Sequence, residues 1–212
     1  MPIRILIVDD HAIVREGLRR ILDASSDMVV VGEAADGIEA LHMIEGACQP
    51  DVVLVDISMP GMSGIDLISR IRAEHARLPV LVLSMHKEEQ FAVRALKMGA
   101  AGYLTKDCAP EHLSQAIHRV VAGGKYITPA VADALANAVI PSAMETPHKL
   151  LSNREFQVFR MLASGSSIND IAHQLCLSAN TVSTHKRRLM NKLGLENNAS
   201  LVRYAVKHQL IQ

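Results

Sequence analysis

Asp51-Val-Val-Leu-Val-Asp-Ile-Ser-Met-Pro-Gly-Met-Ser-Gly64 joins an apolar run to an acid, Asp56, and then to a turn rich in proline and glycine. A run without polar alternation is what a strand buried on both faces of a parallel sheet requires. Loops at the carboxyl ends of such strands form the ligand crevice of open α/β sheets, so Asp56 is expected at that rim. Ile3-Arg-Ile-Leu-Ile-Val8 has the same form and ends in Asp9-Asp10. Three carboxylates brought together repel one another, and a hard divalent cation with a preference for oxygen, Mg²⁺, would relieve them. Pro79-Val-Leu-Val-Leu-Ser84 adds a hydroxyl, and Gly99-Ala-Ala-Gly-Tyr-Leu-Thr-Lys106 adds an ammonium, so the expected set is three acids, Ser84 and Lys106 on four strand ends.

Outward from this stretch, strand candidates at 3–8, 28–33, 51–55, 79–84 and 100–104 alternate with helical patterns near 12–23, 37–46, 64–74, 87–98 and 110–122. Five βα units predict a parallel sheet covered by helices on both faces, with a first domain over 1–122. Within the first helix, Ile13, Leu18, Ile21 and Leu22 read as the buried face and Arg15, Glu16, Arg19 and Arg20 as the solvated one. Gly123-Gly124 breaks the repeat, a helical segment follows at 129–139, and Ile140-Pro-Ser-Ala-Met-Glu-Thr-Pro147 reads as a linker, so 123–149 is expected to connect two domains.

The remaining residues, 150–212, contain no strand candidate but four helical patterns, an all-α domain. Ser152 and Glu155 form a capping box ahead of a helix carrying Phe156, Phe159, Met161, Leu162 and Ala163, which Gly165 stops. Helices at Ile168–Leu175 and Ser178–Leu193, separated by a turn at Cys176-Leu177, make a helix-turn-helix. The second of them has Val182, Leu189 and Leu193 as a core stripe, and Thr181, Ser183, Thr184, Lys186, Arg187, Arg188 and Lys192 on its other faces.

The 212 residues are 49% hydrophobic, ample for packed cores in one large or two small domains. No apolar stretch approaches the roughly 20 residues that span a bilayer, and Met-Pro-Ile-Arg opens no signal peptide, so a cytoplasmic protein without membrane contact is expected. Cys48, Cys108 and Cys176 lie too far apart in sequence to suggest a metal or redox pair. The net charge of zero is unevenly distributed: residues 149–212 carry nine Lys/Arg against three Asp/Glu, net +6, and the rest carries thirteen against nineteen, net −6. A basic helix-turn-helix and an acidic α/β domain face different partners.

Taken together, Asp9-Asp10, Asp56-Ile-Ser-Met-Pro-Gly-Met-Ser-Gly64, Ser84 and Lys106 resemble the receiver domain of two-component response regulators, whose fold is a flavodoxin-like (βα)5 doubly wound sheet. Leu151-Ser-Asn-Arg-Glu155, Ile171-Ala172, Ser178-Ala-Asn-Thr-Val-Ser-Thr-His185 and Lys192-Leu-Gly-Leu195 are similar to the LuxR-type helix-turn-helix, and the pairing is that of the NarL/FixJ family. The resemblance implies a phosphorylation-controlled transcription regulator, not an enzyme. Asp56 would accept a phosphoryl group from a sensor histidine kinase; Asp10, Asp56 and the Ser58 backbone carbonyl would hold Mg²⁺, with Asp9 acting through a water. Lys106 and Ser84 would contact the phosphoryl oxygens, Tyr103 would swing from exposed to buried, and His86 would tune dephosphorylation. The family reading also places kinase choice around Ala12, Val14, Arg15 and Leu18.

In helix-turn-helix geometry the second helix enters the major groove of double-stranded DNA, so Ser183, Thr184 and Arg187 are candidates for base edges. Thr181, Lys186, Arg188 and Lys192 are candidates for phosphates. Ser183 is short where many relatives carry a longer basic side chain. One small domain buries too little surface for a specific site, so a homodimer on paired half-sites is expected. The resemblance also implies that Val202, Tyr204 and Ala205 on the last helix pair the DNA-binding domains, although core packing explains the same residues. Two other classes compete. An aspartyl-phosphate hydrolase would carry a second acid two residues after its nucleophile, where this chain has Ser58. An RNA- or protein-binding output is set against the Thr181-Val-Ser-Thr-His185 run.

Overall fold

A computed structural model of the chain describes residues 1–46, 48–85, 89–108, 110–139, 147–175, 177–208 and 210–211. The chain divides into two compact units, Met1–Ile140 and Pro141–Gln212. In the first, β1 (Ile3–Val8), β2 (Met28–Ala34), β3 (Val52–Asp56), β4 (Val80–Ser84) and β5 (Gly102–Thr105) form one parallel sheet in the order β2-β1-β3-β4-β5. The runs that lack alternation are buried on both sides: Ile5, Leu6 and Ile7, and Val52, Val53 and Val55, are all 0% exposed. Helices α1 (Ala12–Asp23), α2 (Gly37–Glu45), α3 (Gly64–Glu74), α4 (Glu89–Lys97) and α5 (Pro110–Val121) alternate with the strands. The chain leaves β1 towards β2 and returns to place β3 on the other side of β1. The crevice for a ligand therefore opens between the ends of β1 and β3, where Asp9, Asp10 and Asp56 lie.

Two expectations from the pattern require correction. Of the four apolar residues assigned to the buried face of α1, Leu22 is 2% exposed, but Ile13 is 90% and Ile21 40% exposed. At 3.6 residues per turn, Ile13 and Leu22 lie about 180° apart and cannot share a face. The same geometry turns Arg15 inward, with its side chain 17% exposed, rather than to solvent.

The segment after α5 is also not a free connection. The Tyr126 amide donates to Ala101 O at 3.0 Å and the Tyr103 amide to Tyr126 O at 3.3 Å, a parallel bridge that lays residues 125–126 on the edge of β5. Helix α6 (Pro129–Val139) then packs on α4, so residues 123–139 belong to the first unit. Gly102 permits this approach: a Cβ there would meet Tyr126 O at 2.7 Å. Of the expected linker, residues 140–146 lie outside the described residues.

The second unit starts with a 3-10 turn (Pro147–Leu150) and has helices α7 (Asn153–Ala163), α8 (Ile168–Gln174), α9 (Ala179–Leu193) and α10 (Asn198–Lys207). Ser152, Ser167 and Ser178 cap α7, α8 and α9 through their hydroxyls, the first two in capping boxes with Glu155 and Asp170. Gly165, at φ 91°, occupies the left-handed region that ends α7. Phe156, Phe159, Ile171, Val182, Leu189 and Leu201 fill the core, each at most 2% exposed. Among the described residues no helix is long and apolar enough to cross a membrane.

Candidate functional site

The strand ends bring Asp9, Asp56, Ser84 and Lys106 together. Asp9 is 1%, Asp56 4% and Ser84 0% exposed. Lys106 Nζ lies 2.6 Å from Asp9 Oδ2 and 3.1 Å from Asp56 Oδ2, with its side chain 8% exposed. The lysine is located by the sheet, because its own amide donates to Ser84 O at 2.9 Å. Burial pushes the Asp56 carboxyl above its ordinary value; Lys106 opposes the shift, Asp9 adds to it, and a backbone bond from Ser58 favours the ionised form. Burial alone would lower Lys106, but its bond to Asp9 and the charges of Asp56 and Asp9 outweigh it, so the ammonium is held more tightly than usual.

The same rim suits a cation. Ligand atoms of Asp9, Asp10, His11 and Asp56 all lie within 4.8 Å of one another. Asp10 Oδ1 is buried without a hydrogen bond among the described residues. His11 Nδ1 is 2.9 Å from it, yet the approach lacks the alignment of a hydrogen bond. An orphaned carboxylate oxygen beside two further carboxylates is the environment that a hard cation stabilises, and the oxygen-rich donor set fits Mg²⁺. Ser58, two residues past Asp56, is exposed between the buried Ile57 and Met59. The segment turns back sharply at Gly64, whose amide donates to Ile57 O at 3.1 Å; a Cβ on Gly64 would lie 2.1 Å from Asp56 O. Tyr103 is already buried, at 4% exposure, and its outward position is not what this structure describes. His86 lies outside the described residues.

In the second unit, Ser183, Arg187 and Arg188 are exposed and Thr181, Thr184 and Lys186 half-buried along α9. Two of the expected contact hydroxyls already have local partners: Thr184 Oγ1 donates to Asn180 O at 2.9 Å, and Thr181 Oγ1 lies 2.8 Å from Ser178 Oγ. Lys192 Nζ donates at 2.7 Å to Glu155, which is 3% exposed, so this ammonium also braces α9 against α7. Ser183, Lys186 and Arg187 line an open groove of about 720 Å³ together with Asn197 and Asn198 at the start of α10. Neither asparagine was among the sequence candidates; Asn197 caps α10 through its side chain, and Asn198 is the first residue of that helix. On α10 itself, Val202 and Val206 are 38% and 60% exposed, but Ala205 is 0% exposed and Tyr204 packs against His148 and Phe159. The outward apolar stripe is therefore Val202 and Val206, and Ala205 belongs to the core.

A parallel sheet in this order, with an acid triad and a lysine at the switch point, defines a phosphoryl-receiver class of protein, here followed by a helix-turn-helix. Residues 5–118 match the family model of the response regulator receiver domain, and residues 149–205 that of bacterial regulatory proteins of the luxR family. The chain is 38% identical over 209 residues to the response regulator UvrY of Escherichia coli O157:H7, covering 98% of this chain and 95% of that one. It is 36% identical over 210 residues to the response regulator GacA of Pseudomonas aeruginosa, covering 99% and 98%. Among solved structures it is similar to RcsB from Salmonella enterica serovar Typhimurium bound to promoter rprA in the presence of the phosphomimetic BeF3⁻, with TM-score 0.64, 28% identity and coverage of 96% and 98%. The chain belongs to the NarL/FixJ family of two-component response regulators, DNA-binding transcription regulators rather than enzymes.

Proposed function

We propose that Asp56 is the phosphoryl acceptor and that its modification controls DNA binding by the second unit. The observation that carries this reading is the Lys106 ammonium poised between Asp9 and Asp56 at the rim of the β1–β3 crevice. A carboxylate oxygen of Asp56 attacks the phosphorus of a kinase phosphohistidine, the P–N bond breaks, and the released imidazole takes its proton from solvent. Two negative groups must approach, so the charge on both has to be offset. Lys106 supplies one positive charge. Asp10, Asp56 and the Ser58 carbonyl, with Asp9 through a water, would hold Mg²⁺, which would supply the remaining positive charge at the site. Ser84, at the end of the neighbouring strand, donates its hydroxyl to the transferred group.

Tyr103 connects that chemistry to the surface, because it stands on β5 between Lys106 and the bridge to Tyr126. A shift of β4 and β5 then reaches α6 through residues 125–128. In the basic second unit, Ser183, Thr184 and Arg187 read base edges, while Thr181, Lys186 and Arg188 contact phosphates; Lys192 adds charge near the duplex and also holds Glu155. Two copies bind paired half-sites, with Val202 and its exposed neighbour Val206 at the contact. Family membership supports a cytoplasmic setting and a sensor histidine kinase as donor. Mass spectrometry after exposure to Mg²⁺ and acetyl phosphate tests the acceptor: a phosphoryl group on Asp56 is expected, and modification elsewhere, or none, would overturn the assignment.

A further inference from the structure

Arg15 reads in sequence as part of the solvated face of α1, but its guanidinium is turned towards the acid rim. Arg15 Nη1 donates to the Asp9 carbonyl oxygen at 2.6 Å, and Arg15 Nε lies 3.3 Å from Glu33 Oε2 on β2. The other Glu33 oxygen accepts from Arg19 Nε at 2.5 Å, so Glu33 is braced from two successive turns of α1. The pairing of β1 with both neighbours ends at Val8, so among the described residues the Asp9 carbonyl has no ladder partner, and Arg15 provides it with one. On the opposite side of the same residue, the Asp9 amide donates to Ala34 O at 3.1 Å, one residue beyond Glu33 on β2. The Asp9 carboxylate meanwhile accepts from the His11 amide at 2.9 Å and from Lys106.

Asp9 is thus tied at its amide, its carbonyl and its carboxylate. Asp10 differs: its Oδ1 is buried without a hydrogen bond among the described residues, so apart from the nearby His11 Nδ1 at 2.9 Å the direction of that carboxylate follows the backbone that carries it. We infer that Arg15, braced by Glu33, is a positioning residue for the cation site, fixing the Asp9–Asp10 peptide and through it the aim of both carboxylates. The inference rests on the reading of Asp9, Asp10 and Asp56 as the Mg²⁺ and phosphoryl site. Groups that orient metal ligands without touching the metal typically change affinity by about 10- to 100-fold when removed. An exposed ion pair serving only the surface changes little. Arg15 touches no reacting atom, so its loss should weaken cation binding and leave the saturated rate unchanged.

The test uses the full chain as wild type, Arg15→Gln, Arg15→Lys, Glu33→Gln and the Arg15→Gln/Glu33→Gln pair. Mg²⁺ affinity is read by calorimetric titration, and the rate of Asp56 phosphorylation by acetyl phosphate is read against Mg²⁺ concentration, which bypasses any kinase contact. Arg15→Gln should bind Mg²⁺ roughly tenfold more weakly, with its phosphorylation rate recovering at saturating Mg²⁺. Arg15→Lys should resemble it, because one ammonium lacks the fork that spans Asp9 O and Glu33, and its retained charge guards against a folding defect in the glutamine variant. Glu33→Gln should lose less, and the double variant no more than Arg15→Gln alone. Binding by both Arg15 variants within about twofold of a responsive wild type would overturn the inference alone. A wild type that neither binds Mg²⁺ nor accepts the phosphoryl group would overturn the reading of the site and the inference with it.

Discussion

Lys106 lies closer to Asp9 than to Asp56, at 2.6 Å against 3.1 Å. One ammonium therefore faces two carboxylates in a pocket nearly closed to water, with Asp10 adjacent. Negative charge is in excess there, and the rest of the fold stabilises an arrangement that is unfavourable without a cation.

Removing the acceptor charge should consequently stabilise the metal-free protein. Burial raises the folded value of Asp56 above 3.8. Below pH 3.8 the acid is protonated in both states and its contribution to stability is fully present. As pH rises through the raised folded value the unfolded chain gives up the proton more readily, so that contribution is lost. At pH 7.5 without divalent ions, Asp56→Asn is expected to raise the thermal midpoint of the first unit by a few degrees, the shift produced by about 1 kcal/mol. Added Mg²⁺ should stabilise the wild type more than the variant and narrow the gap. A lower midpoint for Asp56→Asn in metal-free calorimetry would contradict this.

Gly64 should tolerate no side chain. A Cβ would sit 2.1 Å from Asp56 O and 2.8 Å from Ile57 Cα, backbone atoms that cannot rotate away. Gly64→Ala is expected to cost about 3 kcal/mol and to abolish phosphorylation even by acetyl phosphate. Gly61, at φ 68° with open space around it, should cost only about 1–2 kcal/mol when replaced by alanine, and should keep the site. Denaturant unfolding together with phosphoprotein yield separates the two variants.

Acid should loosen the second unit through Glu155. Burial would raise this carboxyl, but bonds from Lys192 and Ser152 outweigh it and hold it below 4.5. A depressed value contributes stability above the unfolded value, and that stability is lost as pH falls through the folded one. Lys192 is 41% exposed, so Glu155→Ala is expected to cost about 2 kcal/mol at neutral pH, less than breaking a fully buried pair. The variant should also show a flatter stability profile below pH 4.5, which circular dichroism melts across that range would reveal.

Much of this architecture was legible because it rests on strong local patterns. The buried runs ending in Asp9 and Asp56 cannot satisfy a sheet any other way, and the α1, α3 and α6 bounds coincide with the apolar periodicity and breakers. The failures share a cause. Ile13 and Arg15 were misassigned because counting apolar positions over twelve residues ignores the angular drift that puts Ile13 opposite Leu22. Tyr126 was missed because a single bridge on an edge strand leaves no periodic trace, and it converts an expected linker into part of the first unit. Ala205 and Val206 were indistinguishable by composition; only the packing of α10 on Phe159 decides which of them is inside.

On DNA, the cations of α9 should behave differently from one another. Lys186→Ala and Arg188→Ala are expected to weaken binding to all duplexes and each to reduce the slope of log affinity against log salt by about 1. Arg187→Ala should cost about 1–3 kcal/mol on the preferred sequence and relax discrimination at one position. Fluorescence anisotropy over a salt series on specific and scrambled duplexes distinguishes these outcomes.

The most direct test measures the apparent mass and duplex-DNA affinity of the full chain with Mg²⁺, before and after acetyl phosphate, for wild type and Asp56→Asn side by side. Asp56 phosphorylation that drives the output predicts a shift from monomer to dimer and tighter binding in the wild type alone. An Asp56→Asn protein that dimerised and bound DNA as tightly as the treated wild type would contradict it.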